Sequence, residues 1–325
     1  MKEMNSKNMK VSVYCLAYNH EKYIRQTLEG FVSQVTNFEY EVFVHDDAST
    51  DGTKKIIQEY ERNYPKIIKG IYQSENQYSQ GKRIVESFVI PRLNGEYVAI
   101  CEGDDYWCDV HKLQKQVDFL ETHPDYSACV HNTVVIEMKN DGRRLMNPSL
   151  DAYDLDIRHV MIEGGSDYHT SSVVYRIKYA RIAYSDKKPE FFNAAKGFGD
   201  YPLAIYLTLE GKVRYLPDIM SVYRYEAPGS WTSGMKNIEK FKTMRRTAIA
   251  MLESVDEYTN YEMHDHIRSI IEERYWEIMI LSTDIKVLKD KEIKNVFDKL
   301  SLDQKVKTFI KLLFYNKYLL KRNRL

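Results

Sequence analysis

The sequence predicts an α/β protein in which a mostly parallel β-sheet is followed by a helical C-terminal region. Over the first 125 residues, short apolar runs rich in β-forming residues alternate with amphipathic helical patterns, which is typical of βαβ units. From about residue 236 onward the pattern is helical and charged, without a turn-rich break until about residue 289. A length of 325 residues suits one large domain or two moderate ones.

The first half of the sheet follows from this alternation. Apolar residues recur at helical spacing between positions 23 and 32, directly after the first β-rich run. We predict strands at residues 10–18, 39–44, 67–72 and 96–101, and helices at 21–34, from Gly52 to just before Pro65, and at 80–93. The four strands would then be joined by right-handed crossovers and lie parallel.

The second half gives weaker signals. The polar stretch 139–166 predicts no clear element. We predict helices at residues 113–121 and 198–209, and strands at 126–138, 170–176 and 213–225. A boundary near residues 231–236 then separates a domain at 1–233 from a helical region at 234–325.

Composition excludes some classes of protein. Lysine plus arginine and aspartate plus glutamate both number 47, so no excess positive charge indicates a nucleic-acid partner. The four cysteines form no CxxC pair, which suits a reducing compartment. The N-terminal ten residues lack the apolar core of a signal peptide, and no stretch approaches the 18 to 20 apolar residues of a membrane span. We therefore expect a cytoplasmic protein.

Polar residues stand where three of the predicted strands end: Tyr18-Asn19, Asp46-Asp47 and Asp104-Asp105. In parallel sheets, ligands bind beyond the carboxyl ends of the strands. A solvated turn or a helix cap is the alternative for any one aspartate pair. Three pairs at one edge favour a binding site.

The stretch ICEGDDYWCD concentrates negative charge directly after a strand. Glu102, Asp104 and Asp105 would repel one another unless a cation or hydrogen-bond donors compensate. Oxygen ligands of this kind suit Mg²⁺ or Mn²⁺, which proteins often hold with a few carboxylates and substrate phosphates. The glycine-rich motifs GxGxxG and GxxxxGK[ST] are absent, which argues against a dinucleotide-dependent dehydrogenase and a P-loop NTPase.

Four motifs in order resemble family 2 glycosyltransferases with the GT-A fold, a Rossmann-like nucleotide-binding fold: VSVYCLAYNHEKYIRQTLEG, VFVHDDASTDGT, GEYVAICEGDDYW and GFGDYPLAIYLTLEGKVRYLPDIMSVYR. The resemblance covers about residues 10–231 and is to bacterial enzymes that build capsule, lipopolysaccharide or related glycans. It implies a metal-dependent, inverting transfer from a nucleotide sugar, with a UDP-sugar as the expected donor, to a glycan or lipid-linked acceptor. Residues 10–125 would form the nucleotide-sugar half and 126–233 the acceptor half.

The resemblance also implies roles for individual residues. The donor nucleotide would be bordered by residues at two strand ends, Ala17, Tyr18 and Asn19 after the first strand and Asp46 and Asp47 after the second. Asp47 would accept a hydrogen bond from the uracil ring, with Asp46 in support.

In the DXD-type motif, Asp104 would lie near the ribose or the metal, and Asp105 would bind Mn²⁺ or Mg²⁺ directly. Asp200 matches the position of the catalytic base, with a plain helix N-cap as its alternative. Glu102 and Glu226 depart from the family pattern, where many relatives have Asp and His, and each is a possible donor or acceptor contact. Trp107 is either such a contact or part of the core.

Two other functions and several residues stay open at this stage. A sugar-phosphate nucleotidyltransferase would be expected to carry a glycine-rich basic loop after the first strand, and this sequence has no such loop. A non-catalytic nucleotide-binding module would be expected to lack Asp105 or Asp200, and both residues are present. The histidines have no zinc-site spacing. Arg176 and Arg224 could meet phosphate or be structural.

The C-terminal stretch 302–325 carries seven lysines or arginines and one aspartate among apolar residues. A basic amphipathic segment of this kind can lie on an anionic membrane, here the inner face of the plasma membrane. The alternative is a helix that packs on the protein and exposes a solvated basic face.

Overall fold

The computed structural model describes residues 9–163, 167–227, 237–282 and 285–322. The chain forms two compact units. Unit 1 comprises residues 1–188 and 200–230, and unit 2 comprises residues 189–199 and 231–325. Among the described helices, none has the length and apolar character needed to cross a membrane.

Unit 1 is built on one mixed β-sheet. Its described strands are β1 (Met9–Ala17), β2 (Glu39–Asp46), β3 (Ile68–Tyr72), β4 (Tyr97–Ile100), β5 (Tyr106–Trp107), β6 (Tyr126–Glu137), β7 (Gly142–Leu145), β8 (Tyr153–Asp154), β9 (Val174–Arg176) and β10 (Lys212–Tyr225). The sheet order is β3-β2-β1-β4-β9-β6-β10-β5, with β7 beside β6 and β8 beside β10. The strands β3, β2, β1 and β4 are parallel, as are β6 and β10, whereas β9 is antiparallel to both of its neighbours. The predicted α/β fold with a mostly parallel sheet is confirmed.

Helices cover the sheet of unit 1: α1 (Ile24–Val32), α2 (Thr53–Asn63), α3 (Lys112–Thr122), α4 (Ile157–Glu163), α5 (Ile177–Ala183) and α7 (Asp200–Glu210). The apolar positions of α1 recur on one face, and Ile24, Leu28 and Phe31 are fully buried in the core with the apolar residues of β1. This packing holds α1 against the sheet.

Unit 2 is helical in its described parts, with α6 (Phe191–Ala194), α8 (Ile238–Tyr258), α9 (His264–Leu281), α10 (Lys291–Lys299) and α11 (Leu302–Arg322). The helical C-terminal region is confirmed. It is interrupted between α8 and α9, where Asn260 and Tyr261 take positive φ angles of 51° and 64°. Such left-handed residues end a helix, so the prediction of an unbroken pattern was wrong here.

Two further predictions of local structure need correction. Residues 80–93 form no regular α-helix, but a 3-10 turn (Tyr78–Gln80), a π-helical turn (Val85–Val89) and a second 3-10 turn (Ile90–Arg92). Pro91 has no amide hydrogen and cannot donate the bond that a regular helix needs there. The predicted strand at 170–176 is reduced to β9, because residues 170–172 form a 3-10 turn.

Candidate active site

The carboxyl ends of β1, β2 and β4 meet at one edge of the sheet. Ala17 pairs with Asp46 in the β1–β2 register, and the N–H of Asp47 donates to the carbonyl oxygen of Ala17 at 3.0 Å. The N–H of Gly103, just after β4, donates to the carbonyl oxygen of Leu16 at 2.9 Å. The three polar motifs that follow these strands are therefore close neighbours, as parallel pairing requires.

Asn19 joins the loops that follow β1 and β2. Its φ is 56°, a left-handed conformation that asparagine tolerates better than most residues. Its Oδ1 accepts the N–H of Thr50 at 2.8 Å, and its own N–H donates to Oγ of Ser49 at 2.9 Å. The neighbouring Tyr18 ring is exposed, whereas Ala17 is buried. Tyr18 is thus available for contact, and Asn19 holds the loop that presents it.

The two aspartates at the end of β2, Asp46 and Asp47, have different surroundings. The Asp47 carboxylate accepts the backbone N–H of Gln77 at 2.9 Å and of Tyr78 at 3.0 Å, and so anchors the loop after β3. The Asp46 side chain is completely buried, and neither of its oxygens has a hydrogen-bond partner among the described residues. Burying a carboxylate without hydrogen-bond donors costs free energy, so we expect water or a ligand beside Asp46.

The acidic residues after β4 form a cluster. Glu102, Asp104 and Asp105 each offer an oxygen, and these oxygens lie within 4.8 Å of one another. Glu102 is exposed as a residue, although the surrounding protein desolvates its carboxyl group, while the two aspartates are buried. Desolvation, together with the neighbouring Asp104 carboxylate, raises the pKa of Glu102 and Asp105. A divalent cation would relieve this repulsion, and a set of oxygen donors is what Mg²⁺ or Mn²⁺ prefers, so the residues present fit such an ion.

Asp105 is held in place from several sides. Its Oδ1 accepts the backbone N–H of Arg224 at 2.9 Å, and its carbonyl oxygen accepts the Thr27 hydroxyl at 2.6 Å. Its Oδ2 lies 3.6 Å from Nε2 of His169. Burial lowers the pKa of His169 to about 3, so this imidazole is neutral at physiological pH and does not balance the Asp105 charge.

The Arg224 side chain connects the acidic cluster to α1. Its guanidinium donates to the carbonyl oxygen of Asp104 and to Oε1 of Gln26, and it lies over the rings of Tyr23 and Tyr106. Arg176 is similarly engaged, with bonds to the backbone carbonyls of Leu120, His123 and Tyr126. Both arginines therefore make structural contacts, which is one of the two roles, phosphate binding or structure, that the sequence left open for them.

Trp107 packs in the core, which is one of the two alternatives that the sequence left open for it. Its side chain is 3% exposed, it packs edge-on against Phe31, and its Nε1–H donates to the carbonyl oxygen of Ser171 at 2.9 Å. The Nζ atom of Lys112 lies 4.2 Å from the centre of the indole ring. Lys112 is fully buried, and burial lowers its pKa to about 7. Sequence reasoning missed this lysine, because nothing in a helical KLQKQ pattern marks it as buried.

Asp200 begins α7 and lies near the acidic cluster. Its Oδ1 accepts the N–H of Tyr201 at 2.8 Å, and Oγ1 of Thr170 is 3.5 Å from its Oδ2. The surrounding protein desolvates this carboxylate, although part of the residue is exposed, and raises its pKa. It is also close enough to Glu102 that its charge contributes to the raised pKa of Glu102.

Glu226, by contrast, is held elsewhere. It follows β10 with a positive φ of 59°, and its carboxylate forms an ion pair with Lys139 at 2.7 Å. The carboxylate cluster of the described residues does not include it.

A protein-family model described as glycosyl transferase family 2 matches residues 12–189. The chain belongs to this family. An uncharacterized protein of Mycobacterium tuberculosis is 35% identical over 240 residues, which are 74% of this chain and 66% of the relative. The chain thus spans slightly less than two thirds of that relative's length. TuaG of Bacillus subtilis, a putative teichuronic acid biosynthesis glycosyltransferase, is 36% identical over 110 residues, which are 34% of this chain and 41% of the length of TuaG.

Solved structures of glycosyltransferases share the fold. Residues 1–349 of Staphylococcus aureus TarS in complex with UDP-GlcNAc match with a TM-score of 0.58 and 19% identity, over 94% of this chain and 81% of that one. A mannosyltransferase of Pyrobaculum calidifontis, in complex with GDP-Man and Mn²⁺, matches with a TM-score of 0.50 and 16% identity. The match covers 96% of this chain and 80% of the mannosyltransferase chain. At these identities the likeness concerns the fold, which is the expected GT-A fold.

Proposed function

We propose that this family 2 enzyme transfers a sugar from a UDP-sugar to a glycan or lipid-linked acceptor, with inversion, in the synthesis of a bacterial surface polysaccharide. The observation that carries the proposal is the cluster of Glu102, Asp104 and Asp105 at the end of β4, with Asp200 close by. The binding of UDP-GlcNAc by TarS, and the naming of TuaG for teichuronic acid synthesis, support the donor and the class of product.

The nucleotide would lie against the ends of β1 and β2. The exposed ring of Tyr18 offers a surface for the base or ribose. The Asp47 carboxylate already accepts two backbone N–H groups, yet an ionised carboxylate has about four acceptor positions and so retains capacity for the uracil N–H. The buried, unpaired oxygens of Asp46 beside it would accept from ordered water at the same edge.

Mn²⁺ or Mg²⁺ would be held by Glu102, Asp104 and Asp105. The ion would supply positive charge to the diphosphate, whose negative charge grows as the sugar leaves. The bonds from Arg224 and Thr27 fix the backbone and one oxygen of Asp105, so the cluster is preorganised.

Asp200 would act as the general base. The attacking acceptor hydroxyl must lose its proton as it bonds to the sugar carbon, and a carboxylate at the mouth of the cluster can accept that proton. Attack on the face opposite the departing diphosphate inverts the configuration at that carbon. The raised pKa of Asp200 makes its carboxylate a stronger base than that of an ordinary aspartate.

A calorimetric titration with UDP tests the metal site. The change Asp105→Asn removes the charge but keeps an oxygen that can accept the N–H of Arg224, so the loop should survive. We expect Mn²⁺ to increase the UDP affinity of the wild-type protein and to have little effect in the variant. The control Asp109→Asn alters a nearby acid that is paired with Lys115 at the surface, and it should behave like the wild type.

Equal Mn²⁺ enhancement in Asp105→Asn and the wild type would refute the role of Asp105. A screen of nucleotide sugars for slow hydrolysis, with and without Mn²⁺, would in addition identify the donor. Hydrolysis of no nucleotide sugar, together with no affinity for UDP, would overturn the proposed donor class.

A further inference from the structure

The last helix of unit 2 exposes an apolar stripe. Along α11, Leu302 is 79% exposed, Val306 50%, Phe309 43% and Ile310 51%. These positions are separated by four, seven and eight residues, so their side chains share one face of the helix. Scattered exposed apolar residues are ordinary, but four on one face form a contiguous patch.

The opposite side of α11 attaches the helix to the rest of unit 2. Thr308 and Leu312 are buried. Nζ of Lys305 donates to the carbonyl oxygen of Asp298 at 2.7 Å, and Nζ of Lys311 donates to the carbonyl oxygen of Ile280. The helix is therefore docked, and its apolar stripe is the side that stays exposed.

The charge of this segment differs from that of the whole chain. Residues 302–325 hold seven basic residues and one acidic residue, although the whole chain holds 47 of each. The rest of the chain is left with 40 basic and 46 acidic residues, and is net acidic. The positive charge is thus concentrated on the segment that also exposes the stripe.

We propose that the apolar stripe of α11 binds the surface of a membrane that contains anionic lipids. The stripe would enter the boundary between headgroups and acyl chains, and the net positive charge of the segment would attract it to the anionic lipids. A two-fold interface with a second copy fits less well, because it would bring two strongly basic segments together. This inference does not depend on the proposed transferase activity.

Cosedimentation of the full chain with lipid vesicles tests the proposal. We expect partitioning onto vesicles with about 30% phosphatidylglycerol in phosphatidylcholine to exceed that onto pure phosphatidylcholine by at least about tenfold at low salt. Because exposed charges are screened, binding should weaken severalfold between about 0.05 and 0.3 M salt.

Two variants locate the contact. The change Leu302→Glu together with Val306→Glu places charge in the stripe, and it should reduce partitioning by at least about tenfold with the helical circular dichroism unchanged. The control Leu150→Glu alters a leucine in unit 1 that is 81% exposed and should leave partitioning unchanged.

Three results would overturn the proposal. Equal binding to neutral and anionic vesicles would exclude the electrostatic part, and full binding by the stripe variant would exclude the stripe. A dimer seen by light scattering, lost in the stripe variant and accompanied by no vesicle binding, would show that a second copy covers the stripe.

Discussion

The interior of unit 1 and the last helix of unit 2 depart from the usual distribution of residues in opposite ways. Unit 1 buries charge: Asp46, Asp105 and Lys112 have almost no exposed surface. Unit 2 exposes apolar side chains, from Leu302 to Ile310 on α11. Folding alone favours neither arrangement, since buried charge is costly and exposed apolar area gains nothing.

The contrast bears on what we propose that each unit binds. Buried carboxylates at the ends of strands suit a small, charged ligand that brings its own cation and enters a preorganised site. An exposed apolar stripe with basic neighbours suits an extended surface. The following three predictions test whether the buried charges of unit 1 serve a ligand or only the fold.

The largest effect is expected at Asp200. The change Asp200→Asn keeps the shape and an acceptor for the N–H of Tyr201 but removes the basic group. We expect the rate of sugar transfer to fall by at least roughly 10² with UDP affinity almost unchanged. Because an ionised carboxylate is needed, the wild-type rate should also decrease as the pH falls through the raised pKa of Asp200.

Rates measured at saturating donor, with UDP titrations on the same samples, separate the two roles of Asp200. The control Asp265→Asn makes the same change in the first turn of α9 and should be neutral. A near-normal rate in Asp200→Asn would exclude the base. Loss of UDP affinity together with stability would favour the helix-cap alternative.

A smaller effect is expected at Asp47, where two functions overlap. Asp47→Ala should weaken UDP by about 1.5 to 3 kcal/mol, the range for a lost hydrogen bond to a charged group, and should weaken Mn²⁺-diphosphate much less. Calorimetry with both ligands measures the difference. Equal weakening would mean that Asp47 serves mainly to anchor Gln77 and Tyr78.

The smallest effect concerns stability and the buried amine of Lys112. Its pKa is about 7 in the folded protein, against roughly 10.4 in an unfolded chain. Between these values the unfolded chain binds the proton and the folded protein does not, so Lys112 contributes to the free energy of unfolding a term that rises with pH by up to about 1.4 kcal/mol per unit. Burial raises the pKa of Cys15, Cys101 and Cys129, so these thiols lower stability above roughly pH 8.5, where unfolded cysteine ionises. Urea unfolding between about pH 7 and 8 therefore measures the Lys112 term.

Lys112→Met should reduce the slope by this contribution, because the titrating amine is gone. The control Lys115→Met lies three residues further along α3, where ion pairs with Asp109 and Asp218 raise the lysine pKa, and should leave the slope intact. The same slope in Lys112→Met as in the wild type would show that another group titrates.

Sequence patterns predicted the elements that depend on local periodicity. The strands β1, β2, β4 and β6 and the helix α3 lie within a few residues of their predicted places, because alternating or helical apolar spacing is local information. The two-residue strand β5 is too short to show alternation. The antiparallel direction of β9 depends on its neighbours β4 and β6, which local spacing does not encode.

In the candidate site, too, the features that depend on local sequence were predicted and those that depend on distant residues were not. The sequence predicted that the polar ends of β1, β2 and β4 would converge, since parallel strands share a carboxyl edge. It did not predict that Arg224 and His169 would flank Asp105, because these residues come from distant segments without a recognisable motif. The burial of Trp107 and Lys112 likewise depends on packing between α3 and residues around Ser171.

The bonds made by Arg224 also bear on how the protein is synthesised. Its backbone N–H reaches an aspartate 119 residues earlier in the chain, and its guanidinium reaches Gln26, 198 residues earlier. A nascent chain on the ribosome must therefore extend past β10 before the carboxylates after β4 gain these partners. Until then Asp105 lacks the donor that offsets part of its charge, and the closing of so long a loop costs chain entropy. The charged loop is thus among the last parts of unit 1 to be completed, although most of its residues are synthesised early.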